Sequence, residues 1–145
     1  DVDLHNGPMM VLPGSHKGPL FDHHSKGAFC GAIDVQSQGL DPSQAVPLTG
    51  KAGSITIHHV RMVHGSAANT SGDPRRFLLH QYCAADAWPV GEILSYETYL
   101  KNLVSGLPIL EPRMTAVPVR LPLPPAPQQG SIYENQRALS RRYFG

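Results

Sequence analysis

No stretch of this sequence is apolar for long enough to cross a bilayer as a helix, which sets aside a helical membrane anchor. An excess of either charge is also missing. Twelve basic against 11 acidic side chains leave a formal net charge of +1, so neither nucleic acid nor an anionic membrane surface is an expected partner. Cysteine is scarce: Cys30 and Cys83 lie far apart, with no C-x-x-C and no paired framework. That excludes a disulfide scaffold and makes a reduced, cytoplasmic setting the expectation. The opening residues, Asp1-Val2-Asp3-Leu4-His5, have neither the basic nor the apolar region of a secretory leader. The chain has no initiator Met and opens almost at once on the turn signal Asn6-Gly7-Pro8, so it reads as a portion of something longer.

Glycine and proline are plentiful, at 14 each in 145 residues, and the hydrophobic share is 41%. The length suits one domain with a core, and the Gly/Pro excess favours short strands and turns over a helical bundle. Met9–Leu12 is a four-residue apolar run between turn signals and reads as a brief strand. Residues 17–27 and 36–44 read as loops, 28–35 as extended, and 45–49 as an edge strand, because Pro47 cannot donate to a ladder. Ser54-Ile55-Thr56-Ile57 alternates polar with β-branched apolar residues, and 75–83 is a longer aromatic and aliphatic run. The turn cluster Asn69-Thr70-Ser71-Gly72-Asp73-Pro74 between them predicts that 54–60 and 75–83 pair as an antiparallel hairpin.

After Trp88-Pro89 the character changes. Residues 92–104 have helical spacing that ends at Gly106-Leu107-Pro108. The stretch 109–129 is too rich in proline for helix or central strand and reads as a polyproline-like arm. Residues 131–143 read as a last helix. The expected organisation is a β-rich core over 1–88, with a C-terminal extension over 89–145 packed on the same domain.

Histidine is the compositional outlier, with His5, His16, His23, His24, His58, His59, His64 and His80. Imidazole is the commonest metal ligand, so a metal site is a fair question. The informative stretch carries His64-Gly65-Ser66, then Asn69-Thr70-Ser71, then Arg75-Arg76, with the first arginine eleven residues after the histidine. Upstream stands Asn6-Gly7-Pro8, an apolar run, and Pro13-Gly14-Ser15-His16-Lys17-Gly18. Together, over roughly residues 1–85, these motifs resemble the distal half of the phytanoyl-CoA dioxygenase family.

The resemblance implies an all-β fold, part of a double-stranded β-helix (a jelly roll of the cupin kind). It implies Fe(II) as cofactor and 2-oxoglutarate as cosubstrate. By position, His64 would be the distal iron ligand, Arg75 the clamp for the far carboxylate of 2-oxoglutarate, and Ser66 a hydroxyl donor to that carboxylate. The chemistry suits those residue types. A facial set of two His and one carboxylate leaves iron sites open, and the planar fork of Arg holds a carboxylate bidentately. A histidine ending one strand and an arginine opening its antiparallel neighbour would face one cavity.

The family's H-x-D motif, which supplies the other two ligands, does not occur in these 145 residues. The reading is therefore the C-terminal portion of a 2-oxoglutarate dioxygenase hydroxylating a small organic or acyl substrate, this chain alone being inactive. A homo-oligomeric copy, or the N-terminal half of the same protein, is the expected macromolecular partner. The alternative is a non-catalytic jelly-roll module for ligand binding or oligomerisation. Blander roles stand beside each residue. His64 alone would be structural, and Arg75 would be a surface cation like Arg76. Strand alternation would instead put Arg75 on one face with Phe77 and Leu79. His58 and His59, being adjacent, would point apart. His16 would fix its loop by hydrogen bonding, and Asn69 and Asp73 would serve the turn.

Overall fold

A computed structural model describes residues 1–25, 27–89 and 95–118. Among the described residues short strands outnumber helices: β1 (Met9–Val11), β2 (His24–Ser25), β3 (Ala28–Phe29), β4 (Val46–Leu48), β5 (His64–Ser66) and one helix, α1 (Tyr96–Leu100). Two 3₁₀ turns, Ser15–Lys17 and Pro42–Gln44, join them. The chain divides into two compact units, one built on Asp1–Phe77 and the other beginning at Leu78. Among the described residues, no helix is long and apolar enough to cross a membrane.

The first unit is organised by a three-stranded antiparallel sheet in the order β4-β1-β5. Met9, Met10 and Val11 sit opposite Leu48, Pro47 and Val46 on one side. On the other side they sit opposite Ser66, Gly65 and His64. The β1–β5 register continues beyond the strands, through Ala67 N–H donating to the Pro8 carbonyl at 3.0 Å and Leu12 N–H to the Val63 carbonyl at 2.9 Å. Since residues 8 and 12 bond toward β5, alternation turns Met10 toward β5 and makes Met10–Pro47 a pair without ladder bonds. Pro47 therefore faces the open edge, where its missing N–H costs nothing. The edge-strand reading of 45–49 holds for that reason.

Opposed residues on antiparallel strands share a face. Met10 and Leu12 line an apolar pocket with Val35, Leu40, Pro42, Ala45 and Val63. Val11, His64 and Ser66 occupy the other face. Val11, Cys30, Val35 and Val63 are the buried hydrophobic residues among those described.

The expected hairpin of 54–60 with 75–83 is not formed. Neither segment is a strand or a helix, and Ile55, Ile57 and Leu78 are 84%, 95% and 85% exposed. Alternation specifies which side chains would share a face, but a strand also needs a neighbour for its N–H and C=O groups. The strand that pairs is instead β5, His64–Ser66, which lies between the two expected strands and takes β1 as its neighbour. The loop reading of 17–27 is corrected as well, because His24 and Ser25 pair with Phe29 and Ala28 in a two-stranded ribbon. Cys30, buried against this ribbon, donates its weak S–H to the His23 carbonyl at 3.1 Å.

Burial pushes the pKa of His23 below 6.5, opposed by a hydrogen bond with the Gly31 backbone and by the Asp22 carboxylate, and helped by the charges of His24 and His64. The folded chain thus favours the neutral ring. Its contribution to stability is complete above about 6.5, is lost as pH falls from there to the lowered folded value, and levels off below it. Melting temperatures measured from pH 7.5 to 5 should fall more steeply in the wild type than in His23→Gln. Equal slopes would contradict this.

In the second unit, Ser95 caps α1, its hydroxyl accepting from Thr98 N–H at 3.3 Å. Tyr96 and Tyr99, one turn apart, both stack on Trp88, with ring centroids 6.1 and 5.1 Å away. The indole N–H donates to the Ile109 carbonyl at 3.0 Å. The expected helix over 92–104 is represented by α1 and the turn after it, while 92–94 lie outside the described residues. Residues 109–118 contain neither helix nor strand. The rest of the arm and the helix expected over 131–143 lie outside the described residues.

Candidate active site on the face of the third sheet strand

His64 and Ser66 stand two residues apart on β5 and therefore on one face, both exposed. The His64 Nδ1 lies 2.8 Å from the Met62 carbonyl oxygen. A carbonyl only accepts, so Nδ1 carries the proton. In the neutral ring the lone pair is then on Nε2, the tautomer that a metal-ligating histidine fixed by a backbone carbonyl adopts.

Arg75 reaches the same face. Its Nη2 donates to Ser66 Oγ at 3.1 Å and its Nη1 to the Gly7 carbonyl. The guanidinium carbon sits 4.2 Å from the centre of the Phe77 ring. These contacts fix the plane of the guanidinium while using only part of its donor fork. Gly7 is suited to this post by its positive φ of 77°. A Cβ there would also stand 3.0 Å from the Ala67 carbonyl oxygen, so the close approach to β5 depends on glycine. The role of the Gly7 carbonyl and of the Phe77 ring was not visible in the motifs. The Asn-Gly-Pro triplet signalled only a turn, and the partner 68 residues away is a product of the register.

The remaining candidates divide clearly. The rings of His58 and His59 do diverge: His58 lies 5.4 Å from the His64 ring, and His59 lies 5.9 Å from His16. His59 Nδ1 accepts the Arg61 N–H at 3.1 Å, a local turn bond. The expectation that His16 fixes its loop is corrected, since its Nδ1 is buried with no hydrogen-bond partner. The neighbouring Ser15 does that work. Asn69 serves the turn as expected, its Oδ1 accepting from Ser71 N–H at 3.0 Å and its Nδ2 donating to the Asp73 carbonyl at 2.8 Å.

Asp3 and Asp1 are likewise engaged locally. Backbone N–H groups of His5 and then Asn6 hold the Asp3 carboxyl below its usual range. Asp1 Oδ1 accepts from Ala52 N–H at 2.8 Å. Among the described residues, no group of three His, Cys, Asp or Glu could hold a metal ion. His64 fits one position of an iron ligand set, and the full set is not present among these residues.

The pairing of a tautomer-fixed histidine with a clamped arginine across Ser66 coincides with a family match. The family model described as phytanoyl-CoA dioxygenase (PhyH) covers residues 1–77. This chain belongs to the phytanoyl-CoA dioxygenase family. A "Probable alpha-ketoglutarate-dependent hypophosphite dioxygenase" of Stutzerimonas stutzeri is 45% identical over 143 residues, 96% of this chain and 50% of the relative. The peroxisomal phytanoyl-CoA dioxygenase of Rattus norvegicus is 33% identical over 89 residues, 59% of this chain and 26% of the relative. An ectoine dioxygenase of Halomonas elongata is 33% identical over 92 residues, 52% of this chain and 26% of the relative. The chain thus spans half the length of the first of these relatives and about a quarter of the other two. No solved structure shows a significant match.

Proposed function

We propose that this chain supplies the cosubstrate side of an Fe(II), 2-oxoglutarate-dependent dioxygenase site on a jelly-roll fold, with His64 as an iron ligand. The observation that carries the proposal is the arrangement of His64, Ser66 and Arg75 on one sheet face within a family of such enzymes. Bound Fe(II) would supply O₂ activation coupled to oxidative decarboxylation of 2-oxoglutarate to succinate. Arg75 would hold the cosubstrate's far carboxylate through the donors not taken by Ser66 and Gly7. Ser66 accepts from Arg75 with its oxygen, so its own O–H is left to donate to the same carboxylate. The other ligands would come from an H-x-D segment that these 145 residues do not contain.

For the substrate, we favour a small phosphorus oxyanion of the hypophosphite kind over an acyl thioester or ectoine. The support is the breadth of the match: 96% of this chain aligns with the hypophosphite dioxygenase, against 59% with the phytanoyl-CoA enzyme. One oxygen atom of O₂ would enter succinate and the other would convert a P–H bond to P–OH.

The test is succinate formation with Fe(II), ascorbate and 2-oxoglutarate, in a protein extended to the relatives' length and in these 145 residues alone. The extended protein should form succinate in step with hypophosphite consumption, and the 145 residues should form none. Turnover by the short chain would mean that a residue such as Asp1, Asp3, His5 or His59 completes the site. Succinate driven only by phytanoyl-CoA or ectoine would overturn the substrate reading. No turnover by the extended protein, together with no iron retention, would favour a non-catalytic binding module.

A further inference from the structure

The Pro13-Gly14-Ser15-His16 turn grips the backbone immediately before His64. Leu12 N–H donates to the Val63 carbonyl at 2.9 Å, and Val63 N–H donates to Ser15 Oγ at 2.8 Å, so both backbone groups of Val63 are held by one short turn. The Ser15 hydroxyl in turn donates to Met62 Sδ at 3.4 Å. The turn is itself fixed, Ser15 N–H donating back to the Leu12 carbonyl at 3.2 Å, with Gly14 in the left-handed region at φ 80°. Farther along, Arg61 donates to the Gly18 carbonyl and ties the incoming strand to the end of the same turn. The carbonyl that receives the His64 ring proton belongs to Met62, one residue before the clamped Val63.

We infer that Ser15 is a positioning residue for His64, acting through Met62 and Val63. Its hydroxyl sets the direction of the Met62 carbonyl, and that carbonyl sets the tautomer and ring orientation of the histidine. A serine suits this post because one small hydroxyl accepts from a backbone N–H and donates to sulfur at once. An alanine would leave the buried Val63 N–H without its acceptor and free the Met62 peptide to rotate. Threonine keeps the hydroxyl. This inference rests on the reading of His64 as a metal ligand, although its first consequence concerns the metal-free chain.

The test is the His64 imidazole ¹⁵N spectrum of the neutral ring, in the wild type, Ser15→Ala and Ser15→Thr. The wild type and Ser15→Thr should show the proton on Nδ1, and Ser15→Ala should show a mixture of tautomers. In the extended protein, Ser15→Ala should weaken Fe(II) about tenfold, the low end of what outer-shell partners contribute, with Ser15→Thr close to wild type. A role confined to stability would lower the melting temperature of Ser15→Ala but leave the folded protein's tautomer and iron affinity unchanged, and that result overturns the inference. His64→Ala separates the two readings. If it abolishes iron binding while Ser15→Ala changes nothing, only the positioning role fails. If neither variant affects iron, the ligand assignment fails with it.

Discussion

Replacing His64 with Ala should lower Fe(II) affinity of the extended protein by more than about a hundredfold and abolish succinate formation, without unfolding it. On the proposed ligand role, the loss should exceed the 10–100-fold typical of outer-shell partners, because a metal-bonded group is removed and chelation goes with it. Stability should change little. His64 is exposed and its named hydrogen bond is local, and exposed substitutions of this kind usually stay within about 0.5 kcal/mol. Metal content after desalting, read beside the melting temperature, checks both halves. Full iron retention by His64→Ala would move the ligand elsewhere, with His58, 5.4 Å away ring to ring, the first residue to examine.

Replacing Arg75 with Ala should raise the KM for 2-oxoglutarate by about a hundredfold, with a smaller effect on kcat. Losing one member of a buried charge pair costs about 2–5 kcal/mol. Arg75 is half-buried, so screening brings the expectation to the lower part of that range. Arg75→Lys should recover only part of the loss, since an ammonium cannot reproduce the fork that spans Ser66, Gly7 and a carboxylate. Arg76→Ala is the control, because that neighbour is exposed. Equal effects at 75 and 76 would mean that general positive charge, and not a clamp, draws the dicarboxylate.

The two arginines show how far sequence reasoning carries. Arg75 was singled out by its distance from His64 and by alternation with Phe77, and the guanidinium does lie over that ring. Yet alternation holds only within a strand, and 75–83 is not one. Arg75 is brought to Ser66 by its hydrogen bonds and not by a ladder. The failed hairpin has the same origin, since the pattern in 54–60 described a face without identifying a neighbour. The success at Pro47 came where chemistry leaves no choice, because a residue without N–H must face the open edge of its strand.

What the sequence by itself determined was the chemistry available: the family motifs, a histidine and an arginine eleven residues apart, the turn residues and the edge proline. Each follows from side-chain type and spacing over a few residues. Only the tertiary structure decided the partners. The β1–β5 register sets His64 opposite Val11, and the approach of Gly7 to Ala67 places a backbone carbonyl against Arg75. The Pro-Gly-Ser turn closes on Val63 from 48 residues away and gives Ser15 the post that His16 was expected to fill. Such contacts depend on which strands become neighbours, and that choice is made by backbone hydrogen bonding and burial across the whole unit. Local spacing does not encode it.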